Sequence, residues 1–310
     1  MIYPENFEQK IEFFKIRQLL EQHCLSPLGK EKVEEMQFSS VFEEIDVQLS
    51  QTDEFVHILQ EEDSFPSDNF YDVRPVLHRI RVAGSWIDQN ALSELLKSML
   101  TITSIVTFFK NDEEKAERYP HLMLLAKEVF VSSEISKKAE RIIDEFGQIR
   151  DHASPQLSNI RREITSTLNS ISRSLNSILR KAQAEGFVDK DITPSMRDGR
   201  LVIPVNPAFK RKIKGIVHDE SASGKTVYIE PSEVVEANNR IRELESDERR
   251  EIIRILTEFT DYLRPFLPDL LQSYEFLAQI DFIRAKAKFA LQLNALKPNF
   301  ENRLIIDWVQ

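Results

Sequence analysis

The sequence predicts a mainly α-helical protein: a helical core bundle with two long antiparallel helices that carry a small antiparallel β structure at their tip. Three observations support this fold class. Apolar residues recur every three or four positions through most of the 310 residues. One stretch, residues 197–231, alternates in the manner of strands and contains three of the seven glycines. Long helical patterns lead into this stretch and out of it.

Residues 1–153 are predicted to form the core bundle of amphipathic helices. Ser26 and Pro27 mark a helix start, because serine caps a first turn and proline is tolerated within it. The further predicted elements are helices at 41–61, 72–84, 88–110 and 121–146 and a charged loop at 111–120.

The first long helix is predicted over residues 154–186. Ser154 and Pro155 supply the N-cap and the first-turn proline, and Gly186 ends the helix. About thirty helical residues reach about 45 Å. The apolar seam of this helix recurs in steps of three or four residues, typical of heptads: Leu157, Ile160, Ile164, Leu168, Ile171, Leu175, Ile178 and Ala182.

A β-rich region is predicted over residues 187–231. Asp198-Gly199 is a hairpin-type turn. Pro204 cannot donate a ladder hydrogen bond, so its strand is expected at an edge of the sheet. The predicted strands cover residues 201–205, 210–218 and 227–229.

The second long helix is predicted over residues 232–264, with Ser232 as its N-cap and two prolines after its end. Residues 265–296 are expected to form a helix that returns to the core. Residues 297–310 are expected to begin a further domain, since 303–309 has the pattern of a strand.

Composition and charge exclude several classes of protein. A single cysteine, Cys24, excludes an internal disulfide framework and fits a reducing cytoplasm. The start of the chain shows no signal sequence, and no apolar stretch is expected to approach the roughly 20 residues that span a membrane. The net charge of −10 argues against nucleic-acid binding over the whole surface. We therefore expect a cytoplasmic protein.

The β-rich region is positively charged although the whole chain is acidic. Residues 197–225 contain seven basic and three acidic side chains, a local net charge of +4. Alternation along the predicted strand 210–218 places three lysines on one face at about 6.6–7 Å spacing, which suits a phosphate backbone. The alternative is a solvated hairpin without a ligand. The candidate nucleic-acid-binding residues are Lys210, Arg211, Lys212 and Lys214, followed by Arg197, Arg200 and Lys225.

Two apparent catalytic motifs fail on closer inspection. The Gly-Lys-Thr at 224–226 ends like a P-loop, but Asp219 stands where that loop needs a glycine and a strand follows. His218 with Ser221 or Ser223 lacks a nucleophile elbow and an oxyanion hole. The histidines and the cysteine lack zinc-site spacing. We expect no catalytic residue and no metal site in this chain.

Two other interpretations remain open from the residues alone. The seams would also suit an intermolecular coiled coil, although two matched seams around one β region favour an intramolecular pair. A polar face of the first long helix would alternatively dock a protein. Its residues include Thr165, Ser166, Ser170, Ser174 and Ser177.

Four stretches carry a family resemblance. The longest, from residue 198, is DGRLVIPVNPAFKRKIKGIVHDESASGKTVYIEPSEVVEANNRIRELE. The others are DHASPQL at 151–157 with Ile160-Arg161, DVRP at 72–75 with Gly84, and the opening FEQKIEFFKIRQLLEQHCLSPLGKEKVEEM. Together they resemble the type-2 branch of the bacterial MutS family, which lacks the mismatch-reading N-terminal domain.

The resemblance implies a helical core, two lever helices and a clamp at their tip. On this basis residues 1–153 are core, 154–186 first lever, 187–231 clamp and 232–264 second lever. Residues 265–296 return to the core, and 297–310 begin an ATPase domain that is missing here. The chain contains no Walker A motif, so ATP and Mg²⁺ are expected only for that domain.

The resemblance also implies a function. In the family the levers lead into a dimerising ABC-type ATPase, often followed by an Smr nuclease domain. The implied role is suppression of homologous recombination, related to DNA repair, through binding of branched or duplex DNA. In some members it is rescue of collided ribosomes, which would make ribosomal RNA the ligand.

Overall fold

The computed structural model describes residues 6–62, 64–110 and 112–299. Helices dominate this part of the chain, as predicted, and are accompanied by a four-stranded antiparallel sheet. The helices are α1 (Phe7–Lys10), α2 (Phe13–His23), α3 (Pro27–Glu34), α4 (Phe42–Glu61), α5 (Arg74–Arg79), α6 (Gln89–Lys110), α7 (Glu113–Arg118), α8 (Pro120–Lys127), α9 (Ser133–Ile142), α10 (Pro155–Ala184), α11 (Ser232–Leu263) and α12 (Leu267–Leu293). The strands are β1 (Ser195–Arg197), β2 (Arg200–Val205), β3 (Gly215–Glu220) and β4 (Val227–Pro231). The strand expected at 303–309 lies outside the described residues.

The described residues form two compact units. One unit combines the chain up to Gln148 with the chain from Thr257 onward, and the other is Ile149–Leu256. The second unit contains α10, the whole sheet and most of α11. The finer division into six segments remains a prediction.

Helix α12 lies at the centre of the first unit. It packs against α2, α3, α4 and α5, and its Tyr274 side chain is fully buried. The buried carboxylate of Asp281 accepts hydrogen bonds from the backbone nitrogens of Leu25 and Ser26 at 2.8 and 3.0 Å. These bonds hold the start of α3 against α12, where Ser26 acts as the expected N-cap.

Helix α6 corrects the expectation that no apolar stretch approaches the length needed to span a membrane. By length and composition alone, it is the one helix among residues 6–62, 64–110 and 112–299 that could cross a membrane. Its most apolar window is 61% buried inside the protein, and Leu92, Leu95 and Ile105 are fully buried. Burial of this kind is the mark of a core helix.

Two predicted elements of the first unit differ from the structure. The expected loop at 111–120 contains helix α7, because the Asp112 side chain caps a first turn by accepting from the backbone nitrogens of Glu114 and Lys115. The single helix expected at 121–146 is two helices, α8 and α9. Ser132 starts the second of them by accepting from the Ile135 nitrogen.

The second unit is built on the antiparallel contact of α10 with α11. Ser154 caps α10 as predicted, accepting from the Leu157 nitrogen at 2.9 Å. Successive contacts along α10 meet earlier and earlier residues of α11, which defines the antiparallel order. The pairs are Ser154 with Glu251, Arg161 with Glu248 and Glu163 with Arg240.

The sheet covers one end of this helix pair and shares a core with it. The core cluster joins Leu175 and Leu179 of α10, Ile203 and Ile229 of the sheet, and Ile241 of α11. Leu179 takes the buried position that the predicted seam gave to Ile178, which is only partly buried. The sheet therefore has a hydrophobic core in common with both long helices.

The strand order is β1-β2-β4-β3, with every pairing antiparallel. Asp198 and Gly199 form the predicted β1–β2 turn, both with positive φ. Strand β2 has neighbours on both sides and is therefore not an edge strand, contrary to prediction. Pro204 is tolerated because β1 pairs with β2 only as far as Val202.

Candidate nucleic-acid interface

The four leading basic candidates lie on a turn between β2 and β3, and we call residues 210–214 the basic turn. A 3₁₀ helix, Pro207–Phe209, leads into it, and β3 begins only at Gly215. The predicted strand at 210–218 is therefore wrong in its first half, and strand alternation does not arrange its lysines. The residues concerned are Lys210, Arg211, Lys212 and Lys214.

Asn206 and Pro207 determine this conformation. The Asn206 side-chain oxygen accepts a hydrogen bond from the Ala208 nitrogen at 3.0 Å, and Pro207 fixes the φ of the first 3₁₀ position. The backbone nitrogen of Lys212 then donates to the Phe209 carbonyl at 2.8 Å. Asn-Pro is a turn-initiating pair, so the sequence contains a signal for this turn that the predicted strand leaves out.

Two apolar side chains hold the basic turn against the core. Ile213 is only 8% exposed and belongs to the core cluster. Phe209 packs on the same cluster, with its ring centre 5.5 Å from that of Phe187. The Lys212 ammonium lies 5.6 Å from the centre of the Phe187 ring. The turn is thus anchored from inside by apolar contacts.

The charges of the basic turn are not neutralised within the described part of the chain. All four basic side chains are exposed. Within the described part of the chain none of them forms an ion pair with a carboxylate. An uncompensated group of positive charges on an anchored turn is suited to bind phosphate groups.

Arg200, by contrast, forms a buried ion pair. Its Nη1 lies 2.7 Å from Oε1 of Glu230 and its Nη2 lies 2.7 Å from Oδ1 of Asn239. The Glu230 side chain is 0% exposed and also contacts Asn238 Nδ2 at 2.7 Å and His218 Nε2 at 2.5 Å. This network joins β2, β3, β4 and α11. The Arg200 guanidinium is therefore engaged within the fold.

The network controls the charge of Glu230. Burial disfavours the ionised carboxylate, but the hydrogen bonds from Asn238, His218 and Arg200 outweigh burial and lower the pKa of Glu230 below its usual range. The carboxylate is consequently ionised at neutral pH and holds the positive charge of Arg200.

Arg197 and Lys225 differ from each other in their surroundings. The Arg197 guanidinium lies 4.0 Å from the centre of the Tyr228 ring, and its Nε is 3.6 Å from Oδ2 of Asp219. An exposed pair of this length is weak. Lys225 is exposed on the β3–β4 turn and has no ion pair among the described residues. Both residues remain candidates for phosphate contact.

The Gly-Lys-Thr at 224–226 lies in the β3–β4 turn, so its likeness to a P-loop does not extend to the fold of that loop. Gly224 has φ +66 and its nitrogen donates to the Ser221 carbonyl at 2.7 Å. Ser221 Oγ accepts from the Thr226 nitrogen at 3.0 Å. The chain continues into β4, so no helix opens at this loop. No group of three or more potential metal ligands occurs among the described residues.

The sequence prediction missed the residues that hold this region together. Glu230 lies between buried neighbours on β4, and no sequence pattern marked it. Asn238 could have been found, because it stands between Val234 and Ile241 in the apolar seam of α11. A polar residue at a seam position indicates a buried hydrogen-bond partner.

No family model matches this chain. A protein named Endonuclease MutS2 from Geobacillus sp. (strain WCH70) is 37% identical over 300 residues, which cover 97% of this chain and 38% of that protein. A protein of the same name from Alkaliphilus oremlandii (strain OhILAs) is 35% identical over 288 residues, covering 93% of this chain and 36% of the relative. The chain belongs to the MutS2 branch of the MutS family.

This result confirms the family resemblance of the four sequence stretches. A further MutS2 relative, from Geobacillus kaustophilus (strain HTA426), is 34% identical over 97% of this chain. The chain spans less than two fifths of the length of these relatives, 36–38%. The activity, substrates and partners of a whole MutS2 protein are therefore matters of proposal for this chain.

Proposed function

We propose that this chain is the nucleic-acid-binding core, lever and clamp portion of a MutS-like ATPase. In this proposal α10 and α11 are the levers, and the sheet with the basic turn is the clamp. The nucleic acid is duplex or branched DNA, and the role is suppression of homologous recombination in the cytoplasm. The observation that carries the proposal is the basic turn, with its four exposed cations anchored by Phe209 and Ile213.

The chemistry of the basic turn favours phosphates over bases. Its nearest aromatic side chains, Phe187 and Phe209, pack on the core cluster, so they do not offer a surface for base stacking. Ammonium and guanidinium groups without base-reading neighbours bind the backbone, with weak sequence selectivity and strong salt dependence.

The ATPase and nuclease functions of the proposal belong to the remainder of a full-length protein. ATP and Mg²⁺ would bind there, and a homodimer would form through that domain. The levers would link clamp position to the nucleotide state. No residue of this chain is assigned to these steps, in keeping with the loop conformation at 224–226.

Ribosomal RNA offers the same phosphate chemistry and is the alternative ligand. An arm that binds a collided ribosome would also use the basic turn. Protein docking through the polar face of α10 is a different mechanism, because it would not need the cations of the turn.

The test is fluorescence anisotropy of this chain with labelled duplex DNA, a four-way junction and structured RNA across a series of salt concentrations. The variant replaces Lys210, Arg211, Lys212 and Lys214 with glutamine. The slope of log affinity against log salt is negative, and each lost phosphate contact should reduce its magnitude by about 0.9 on duplex DNA. We expect a total reduction in magnitude of about 3 to 4.

The matched control removes the same amount of charge elsewhere in the second unit. It replaces Lys190, Arg240, Arg249 and Arg250 with glutamine. This control should keep the slope of the unmodified chain. Equal binding by both variants would refute the basic turn as the site. Binding that is tightest to structured RNA, and lost in the turn variant, would make ribosomal RNA the ligand.

A further inference from the structure

The two long helices of the second unit carry opposite net charges. Helix α10 has five basic and one acidic side chain, whereas α11 has five basic and nine acidic side chains. The positive charge of α10 stands out in a chain whose net charge is −10. None of the basic candidate residues named from the sequence lies on this helix, so its charge has no assigned function.

Three of the α10 arginines share one face. Arg162, Arg173 and Arg180 are 11 and 7 residues apart, so at 3.6 residues per turn they project within about 20° of one another. They span about 27 Å along the helix axis. All three are exposed. We call these residues the arginine stripe.

The charges of the arginine stripe are not neutralised by the fold. In the described chain none of the three forms an ion pair, and the Nε of Arg173 donates only to the Asn169 carbonyl at 3.3 Å. The single acid of the helix, Glu163, is bound at 2.9 Å by Arg240 of α11. The neighbouring Arg161, by contrast, is held by Glu248 at 2.7 Å and faces a structural partner.

The N-terminal end of the stripe lies beside hydrogen-bonding groups of its own helix. At its N-terminal end the stripe borders a groove of about 390 Å³ that runs from Ser158 to Asn169, with the paired carboxylate of Asp151 at its rim. The Thr165 hydroxyl in this groove donates to the helix backbone at 2.9 Å. Helix α10 has no aromatic residue, so it offers no aromatic ring on which unpaired bases could stack.

We propose that the arginine stripe is a second surface for the phosphodiester backbone of duplex DNA, separate from the basic turn. This inference rests on the proposed function, since it takes duplex DNA as the ligand of the unit. Guanidinium groups bind phosphate oxygens in pairs of hydrogen bonds, and a straight row of about 27 Å follows a duplex for most of one helical turn. The acidic α11 of a second copy is the competing partner.

The experiment compares two variants of this chain by anisotropy with the same DNA duplex over a series of salt concentrations. The stripe variant carries Arg162→Gln, Arg173→Gln and Arg180→Gln. The control carries Arg240→Gln, Arg249→Gln and Arg250→Gln on α11, an equal loss of charge. We expect the stripe variant to reduce the magnitude of the negative salt slope by about 2 to 3 and the control to leave it unchanged.

The basic-turn variant is measured in parallel, so the two proposals can fail separately. If the turn variant loses binding and the stripe variant matches its α11 control, the stripe is refuted and the proposed function stands. If neither variant differs from its control, both proposals are refuted. A slope change of the stripe variant with double-stranded RNA but not with DNA would overturn DNA as the occupant.

Sedimentation of the same variants tests the competing partner. Self-association of the unmodified chain that is lost in the stripe variant, with unchanged DNA binding, would assign the stripe to a second copy and overturn the proposal. Circular dichroism of the stripe variant should be unchanged, because substitutions of exposed side chains without ion-pair partners usually alter stability by less than about 0.5 kcal/mol. The α11 control loses the exposed pair of Arg240 with Glu163, which is weak, so its spectrum should also be unchanged.

Discussion

Arg200 and the basic turn show two uses of positive charge within one β region. Arg200 is bound to the fully buried Glu230 and to Asn239, whereas the cations of residues 210–214 are exposed and unpaired in the described chain. Both belong to the same run of basic residues in the sequence. Their partners, not their charge, distinguish them.

The comparison shows why charge counting overestimates a binding surface. A local net charge of +4 treats the seven basic residues of the region as equivalent. The structure separates a cation that stabilises the fold from cations that are available to a ligand. Removing the first kind should affect stability, and removing the second kind should affect binding.

The largest expected effect tests the structural half of this comparison. Replacing Arg200 with methionine leaves the Glu230 carboxylate buried without its ion-pair partner, although Asn238 and His218 remain as hydrogen-bond donors. We expect a loss of about 3 kcal/mol in the free energy of unfolding, measured by urea denaturation. At low urea the folded variant should retain most of its salt-dependent DNA binding.

Lys225→Met is the control for Arg200→Met, since Lys225 is exposed and lacks an ion pair among the described residues. It should change stability by less than about 0.5 kcal/mol. Equal stability of the two variants would break the comparison, because Arg200 would then be as available to a ligand as the lysines.

Much of the fold could be predicted from the sequence because its signals are local. The caps at Ser26 and Ser154, the turn at Asp198-Gly199 and the two long seams each depend on a few neighbouring residues. The missed helix α7 also had a local signal, the cap at Asp112. The predicted charged loop leaves this cap out.

The candidate site could be predicted only in part because its geometry depends on long-range contacts. The basic residues were visible, but the pairing of Arg200 with Glu230 joins residues on β2 and β4. Alternating charges predict a strand over the basic turn, whereas Asn206-Pro207 favours a turn, and the structure follows the second signal. In the structure, Ile213, which stands between Lys212 and Lys214, is buried in the core cluster.

A smaller effect should follow from Gly215, which links the basic turn to the sheet. A Cβ at this position would lie 2.1 Å from the Glu230 carbonyl oxygen, which is backbone and cannot rotate away. We expect Gly215→Ala to cost about 2 kcal/mol in unfolding free energy and to weaken DNA binding as well, because it shifts the exit of the basic turn.

Gly224→Ala is the comparison variant for Gly215→Ala, since nothing lies within 4 Å of an added Cβ there. Its φ of +66 is unfavourable for alanine, so a cost of about 1 kcal/mol is expected. Binding should be retained. If Gly215→Ala also kept full binding, the position of the basic turn would not depend on its attachment to β3.

The smallest expected effect is on the pH dependence of stability. It distinguishes the paired Arg200 from the cations of the basic turn. The pKa of Glu230 is lowered in the folded chain because hydrogen bonds from Asn238, His218 and Arg200 outweigh the effect of burial. A lowered pKa means that the unfolded chain takes up the proton first as pH falls. The stabilisation is therefore complete above the ordinary pKa of 4.5 and is lost as pH decreases through the lower folded value.

Urea unfolding of the unmodified chain and of Glu230→Gln between neutral and acidic pH measures this loss. The stability difference between them should shrink on acidification by an amount of the order of 1 kcal/mol. The basic-turn variant leaves the Glu230 network intact, so its pH dependence should match that of the unmodified chain. A flattened profile in the basic-turn variant would show that its cations also stabilise Glu230 and would break the division between structural and ligand-binding charge.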